Sequence, residues 1–133
     1  VIEQEKDVLA EAWDTLEFFE IDHLAEEEAG NLSGGQRKLL ELARALLTDP
    51  DMLLLDEPFA GVNPSLQNRL LDHLHQLRDD GYTFLIVEHD MDVIMENCER
   101  VIVMHQGDIL SAGTPADIKA DDRVIEAYLG GEI

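Results

Sequence analysis

Asp56 and Glu57 close the stretch "MLLLDEP" (52–58), where four apolar residues run straight into two carboxylates. One carboxylate at the end of a buried strand can hold Mg²⁺, directly or through its waters, as hard oxygen ligands do. The next residue points elsewhere and could orient or deprotonate an attacking water. In so acidic a chain the dipeptide alone distinguishes little; the apolar run before it and Pro58 after it make it specific. A second stretch, "NLSGGQRK" (31–38), sets Ser33 and Gln36 at the spacing of a capping box. The N-terminus of a helix carries roughly half a positive charge and free amides that suit an anion. Gly34 and Gly35 exceed what a cap needs. Inside a helix each costs up to about 1 kcal/mol against Ala, and their physical use is close approach of a ligand to the backbone. The third candidate is His89 in "VEHDM" (87–91), which could donate a hydrogen bond to a terminal phosphate. Taken alone, a histidine after an apolar strand is more often a satisfied, half-buried residue. His73 and His75, two apart on a helix, face different ways and make no metal pair; His23 and His105 are not ligand candidates either.

A loop that offers amides to phosphate needs a phosphate, and this chain has no G-x-x-x-x-G-K-[ST] loop to cradle one. None of its lysines, Lys6, Lys38 and Lys119, follows a glycine.

The elements that must position these residues follow from periodicity. Leu9, Ala12, Trp13, Leu16 and Phe19 predict an amphipathic helix over about 3–20. Its polar face holds only Lys6 as a base, so it is read as a packed or partner-facing helix rather than one lying on a membrane. "GNLSGG" interrupts it, and Leu39, Leu42, Ala43, Leu46 and Leu47 predict a second helix over about 34–48. Asp49-Pro50 closes that helix, because the residue before proline avoids helical backbone. "MLLL" reads as a strand buried on both faces of a parallel sheet. Asn63 and Pro64 read as N-cap and first residue of a third helix with Leu66, Leu70, Leu74 and Leu77 on one side. "YTFLIVEH" repeats the strand-then-polar layout. "RVIVMHQGDILSAG" reads as two strands around a Gln106-Gly107 turn. "TPADIKADDRVIEAYLG" restarts as one helix capped at Thr114, with Asp117 three residues on. The order belongs to the α/β class. In open α/β sheets ligands sit beyond the carboxyl ends of strands, where Asp56-Glu57 and Glu88-His89-Asp90 both fall.

Composition bounds the rest. The chain has 45% hydrophobic residues and 133 positions, enough for one domain with a real core. No run of eighteen apolar residues occurs, so no transmembrane helix is expected, and the N-terminus lacks the layout of a secretion signal. Without an initial Met, the chain is expected to be a piece of a longer protein. Cys98 alone excludes an internal disulfide and fits a reducing compartment. The net charge is −21, from 30 acids against 9 bases. That surface repels nucleic acid and anionic lipid. In molar salt the screening length falls to about 3 Å and the self-repulsion largely disappears. With acids spread along the chain and Lys scarce, adaptation to a salty cytoplasm is the expectation.

Taken in order, the motifs resemble those of the ATP-binding-cassette (ABC) ATPases. "LSGGQ" (32–36) looks like the signature loop, "MLLLDEP" (52–58) like the Walker B strand, "AGVNP" (60–64) like the D-loop and "VEHDM" (87–91) like the switch-histidine loop. "AGVNP" and the tail "GTPADI…VIEAYLG" resemble ATP-binding subunits of branched-chain amino-acid importers. The resemblance implies the C-terminal part of a P-loop NTPase-type cassette: a mostly parallel sheet with flanking helices, then a β-hairpin and helices. Residues 1–31 would end a helical subdomain, 32–48 would form the signature loop and its helix, and 49–133 would run from Walker B to the C-terminus. The cofactors implied are ATP and Mg²⁺. Asp56 would bind Mg²⁺ through water, Glu57 would be the general base and His89 would contact the γ-phosphate. Ser33, Gly34, Gly35 and Gln36 would reach a nucleotide held by a second cassette, which answers the question of the missing phosphate loop. Asn63, where many relatives carry Asp, would lie at the cassette interface.

The resemblance therefore implies the ATP-hydrolysing subunit of a membrane importer for branched-chain or related amino acids. Its partners would be a second ABC ATPase subunit, identical or not, and transmembrane permease subunits. It would sit on the cytoplasmic face of the cell membrane. No nucleic-acid partner is expected. With the phosphate-cradling Walker A loop expected upstream of Val1, the isolated chain is predicted neither to bind ATP tightly nor to hydrolyse it, and to expose apolar sheet surface that self-associates. The alternatives are an ABC-type ATPase acting on nucleic acid or ribosomes, and a non-catalytic interaction fragment.

Overall fold

The computed structural model describes residues 2–129 as two compact units, one up to Val87 and the other from Glu88. The first unit holds helix α1 (Ile2–Phe18), helix α2 (Gly34–Leu46), strand β1 (Met52–Asp56), helix α3 (Pro64–Asp79) and strand β2 (Thr83–Val87). The second holds α4 (Met91–Asn97), β3 (Val101–His105), β4 (Asp108–Gly113), α5 (Pro115–Lys119), a single turn α6 (Asp122–Val124) and a π-type turn over Ile125–Leu129. The α/β expectation holds.

In the first unit, β1 and β2 pair in parallel from Met52↔Thr83 to Asp56↔Val87. The two strands alternate in burial. Leu53 is buried and Phe84 and Ile86 half-buried, whereas Leu54 is 70% exposed and Met52, Leu85 and Val87 are also exposed. The expectation of a strand buried on both faces is thus corrected. An unbroken apolar run has the composition to be covered twice, but among the described residues only one face of the strand pair is covered.

Helix α3 buries Leu70, His73, Leu74 and Leu77, a stripe at i, i+3, i+4 and i+7 that faces a core. Helix α2 buries Leu39, Leu42 and Ala43. It ends before Asp49, whose φ of 48° breaks the helix ahead of Pro50. Helix α1 buries no residue along its length; Ile2, Leu9 and Trp13 are exposed. Its anchor lies at its carboxyl end. Phe19, fully buried, meets Phe18 edge-on at 4.9 Å between ring centroids, and both rings contact His73 at 5.2 and 5.0 Å. Arg69 adds an ion pair to Glu20 at 3.1 Å.

In the second unit, β3 and β4 form an antiparallel hairpin with an irregularity between Val103 and Met104. Gln106 and Gly107 both have positive φ, 52° and 86°, as a two-residue turn matched to strand twist requires; this turn stands where the sequence placed it. Met95, Val101, Val103, Ile118 and Val124 make the core. Two expectations are corrected here. The sequence reading had no helix at 91–97, yet Asp90 caps one, accepting from the amides of Asp92 and Val93 at 3.1 and 3.3 Å. The single C-terminal helix is instead three short pieces. Thr114 and Asp117 make the expected capping box, but Asp121 adopts extended backbone (φ −83°, ψ 110°) and starts a new turn by accepting from Arg123 N–H. The Gly130 end of that predicted helix lies outside the described residues. No helix among the described residues is long and apolar enough to cross a membrane.

Candidate nucleotide-contact site

The capping box at the start of α2 is built as the sequence reads. Ser33 Oγ accepts from Gln36 N–H at 3.2 Å, and Gln36 Oε1 accepts from Ser33 N–H at 2.9 Å. Its two glycines prove to be different. A Cβ at Gly34 would meet nothing within 4 Å, so its missing side chain answers no packing need. A Cβ at Gly35 would lie 2.0 Å from Leu66 Cδ2, so Gly35 is where the N-terminus of α2 closes on the N-terminus of α3. There Asn63 is the N-cap, its Oδ1 accepting from Leu66 N–H at 2.9 Å, with Pro64 in the first turn. One contact thus brings the start of α2, which carries Ser33, Gly34, Gly35 and Gln36, against Leu66 at the start of α3, the helix that Asn63 caps.

Asp56, the last residue of β1, is exposed, as is Glu57. The chain turns sharply at Glu57, whose φ is 47°, a left-handed value uncommon for a residue with a Cβ. Pro58 already keeps Glu57 out of the right-handed helical region. The turn is tied down by Glu57 N–H donating to Val87 O at 2.8 Å and Ala60 N–H donating to Glu57 O at 3.1 Å. Lys38, in the second turn of α2, donates from Nζ to the same Glu57 carbonyl at 3.4 Å. The sequence reading passed over Lys38. The available signal was its place four residues before buried Leu42, on the face of α2 that meets the rest of the unit.

His89 belongs to the second unit. Its ring is 80% exposed, which overturns the bland expectation of a half-buried histidine. Its Nδ1 stands 3.9 Å from Glu88 Oε2, and its N–H donates to the same oxygen at 3.3 Å. The Glu88 side chain is 4% exposed. His73, by contrast, is buried with neither ring nitrogen hydrogen-bonded, and burial pushes its pKa down.

Chemically, the first unit offers the exposed backbone of Gly34, a hydroxyl at Ser33, and two adjacent carboxylates at a strand end. These are hard oxygen ligands and anion donors, suited to Mg²⁺ and phosphate. No group of three or more His, Cys, Asp or Glu among the described residues could hold a metal. Asp56 could supply at most one ligand to Mg²⁺, an ion usually bound through one or two carboxylates together with waters and substrate phosphates.

Comparison with known proteins agrees with this chemistry. A family model described as ABC transporter matches residues 2–60, and one described as branched-chain amino acid ATP-binding cassette transporter matches residues 109–133. A probable branched-chain amino acid transport ATP-binding protein LivG of Archaeoglobus fulgidus is 42% identical over 98% of this chain and 51% of its own length. Its namesake from Methanocaldococcus jannaschii is 39% identical over 97% of this chain and 52% of its own. The lipopolysaccharide export system ATP-binding protein LptB of Escherichia coli K12 is 41% identical over 86% and 48%. Among solved structures, the ADP conformation of an ATP-binding cassette of an ABC transporter superposes with a TM-score of 0.83 at 39% identity, covering 93% of this chain and 50% of that one. The chain spans about half the length of the curated relatives it matches. With the signature-type capping box, the carboxylate turn and these matches on one chain, it belongs to the ABC transporter ATPase family.

Proposed function

We propose that this chain works as the signature-to-C-terminus part of an ATP-hydrolysing subunit that powers a membrane importer for branched-chain or related amino acids. One observation carries the ATPase part. The first unit joins the exposed residue Gly34, through α2, to the turn that presents Glu57 beyond the end of β1. In this reading Glu57 is the general base that takes a proton from the attacking water, and Asp56 holds Mg²⁺ through water. Mg²⁺ would offset the charge that builds up on the phosphates. His89, its ring open to solvent, donates to the γ-phosphate. Ser33, Gly34, Gly35 and Gln36 offer donors to ATP held by a second cassette, the missing side chain of Gly34 leaving the backbone open to phosphate. Asn63 lies at the interface between cassettes, although its Oδ1 is already engaged by the α3 cap.

The remaining roles belong to the same proposal. Residues 1–31 end the helical subdomain, 32–48 carry the signature loop and helix, and 49–133 complete the cassette. The exposed face of β1 and β2 is where the remainder of a full-length cassette packs. Permease subunits hold the protein on the cytoplasmic face of the membrane. The acidity reflects adaptation to a salty cytoplasm.

The solute class is supported by the match at residues 109–133 and by the LivG proteins, whose alignments span 98% and 97% of the chain. An export-coupled cassette is the second reading, favoured by the 41% identity to LptB. That alignment covers only 86% of the chain, so the import reading leads. The test uses the full-length protein. Glu57→Gln should abolish ATP turnover, a loss of at least about 10²-fold for a general base, while ATP-driven dimerisation persists. Turnover at the wild-type rate would remove Glu57 from its role. Uptake of radiolabelled leucine into vesicles bearing the permease then separates import from export.

A further inference from the structure

Lys38 carries more information than its place on a surface helix suggests. The chain has three lysines and 30 acids, so a lysine here has carboxylates in abundance to pair with. Among the described residues Lys38 pairs with none. Its half-buried side chain instead sends Nζ to a backbone carbonyl, that of Glu57, at 3.4 Å. The same carbonyl accepts from Ala60 N–H at 3.1 Å, and Glu57 N–H donates to Val87 O at 2.8 Å. Three hydrogen bonds thus fix both peptide groups of a residue at φ 47°, a conformation that persists only where the surroundings hold it. Of the three, the Lys38 bond is the longest, but it alone comes from a charged donor and from a different element than the strand pair and its turn.

We propose that Lys38 is a positioning residue for Glu57. Its ammonium pins the carbonyl of the turn, and the backbone so held sets the direction in which the Glu57 carboxylate leaves β1. Because Lys38 and Ser33–Gln36 ride on one helix, a shift of α2 pulls on the Glu57 turn directly. This rests on the reading of Glu57 as general base.

The test is steady-state ATP hydrolysis by the full-length cassette carrying Lys38→Met, which keeps the apolar stem, Lys38→Arg, which restores a charged donor, or Glu57→Gln. Lys38→Met should lower kcat about tenfold while KM for Mg-ATP moves less than about twofold, the pattern of a misdirected catalytic group rather than lost binding. Lys38→Arg should recover at least about half of the lost kcat. A wild-type kcat in Lys38→Met, a loss that Lys38→Arg fails to recover, or a rise in KM as large as the fall in kcat would each overturn the proposal. Should Lys38→Met fail to fold, Lys38→Gln takes its place under the same criteria. The Glu57→Gln arm separates the two readings. Full turnover there retires both, whereas an inactive Glu57→Gln beside a fully active Lys38→Met retires only the role of Lys38.

Discussion

At the scale of single residues, Gly34 and Gly35 look alike in the sequence and do different work. Gly35 is small because Leu66 occupies the space of its side chain, at 2.0 Å from where a Cβ would stand. Gly35→Ala must push Leu66 Cδ2, the end of a flexible side chain, aside, so it should cost up to about 1 kcal/mol through overpacking, and Leu66→Ala in the same chain should restore part of the loss. Gly34→Ala should leave stability within about 1 kcal/mol, because the added methyl meets nothing and Ala is the better helix former. Urea titration of the three variants checks this; equal losses at both glycines would show that the open surround of Gly34 is wrong. His73 makes a second prediction at this scale. It sits against Phe18 and Phe19, with Glu20, Arg69 and Asp72 as its charged neighbours. Burial, the largest cause, lowers its pKa from 6.5. The folded state thus resists a proton that the unfolded chain accepts, so stability present above about pH 6.5 falls as pH drops through the lower folded value. Asp117 and Asp121 are shifted down instead, the first by Thr114 and the second by Arg123 and Ser111, so their contributions fade only below the ordinary carboxylate range. Between pH 7 and 5.5 the urea midpoint should fall in the wild type and fall less in His73→Phe; identical slopes would exclude His73 as the cause.

At the scale of elements, most of the frame was legible because local chemistry and tertiary packing agree. Ser33 and Gln36, Asn63 and Pro64, and Thr114 and Asp117 each announced a helix start, and each cap is made in the structure. The Gln106-Gly107 turn was equally plain, since Gly107 supplies positive φ at no steric cost between two apolar runs. Helix α4 was not read, because seven residues give too few repeats for a period, although Asp90 ahead of "MDVIME" was a usable cap signal. The break at Asp121 was hidden for a different reason. Its ties to Arg123 and Ser111 include a partner ten residues back, which no window along the chain reveals. The candidate site divides the same way: the motifs proposed its residue types, whereas the Lys38–Glu57 and Gly35–Leu66 contacts join elements and needed the fold. The β1–β2 face carries the prediction at this scale. Met52, Leu54, Leu85 and Val87 lie exposed together, a patch of the kind that drives association. The chain should self-associate in light scattering at micromolar concentration, and Leu54→Thr with Leu85→Thr should reduce it while keeping β-propensity. A monomeric wild type would contradict it.

At the scale of the whole molecule, charge outweighs every other feature. Thirty acids against nine bases leave −21 on 133 residues, and the ion pairs described, such as Arg69–Glu20, Arg78–Asp79 and Arg123–Asp121, can engage only a fraction of those acids. Helix α1 shows the consequence locally: Glu3, Glu5, Asp7, Glu11, Asp14 and Glu17 ride on one exposed helix with Lys6 as the only base. Two unit charges 10 Å apart repel by about 0.4 kcal/mol in bulk water, and a helix crowded with acids adds up many such repulsions. Potassium chloride at molar strength shortens the screening length from about 10 Å at 0.1 M to about 3 Å, which removes nearly all of this repulsion and leaves the short hydrogen bonds of the caps intact. Apolar burial is not weakened by the same salt, so the balance moves one way. Circular dichroism of the chain should show helix content and thermal midpoint rising from dilute buffer to 2 M KCl, with α1 gaining most because packing supports it least. Replacing Glu5, Asp7 and Glu11 by Gln should bring part of that gain into dilute buffer. An unchanged midpoint across the salt series would mean that the acids lie far enough apart, or bind enough counterions, for self-repulsion to have no hold on the fold, and the proposed adaptation to a salty cytoplasm would lose its physical basis.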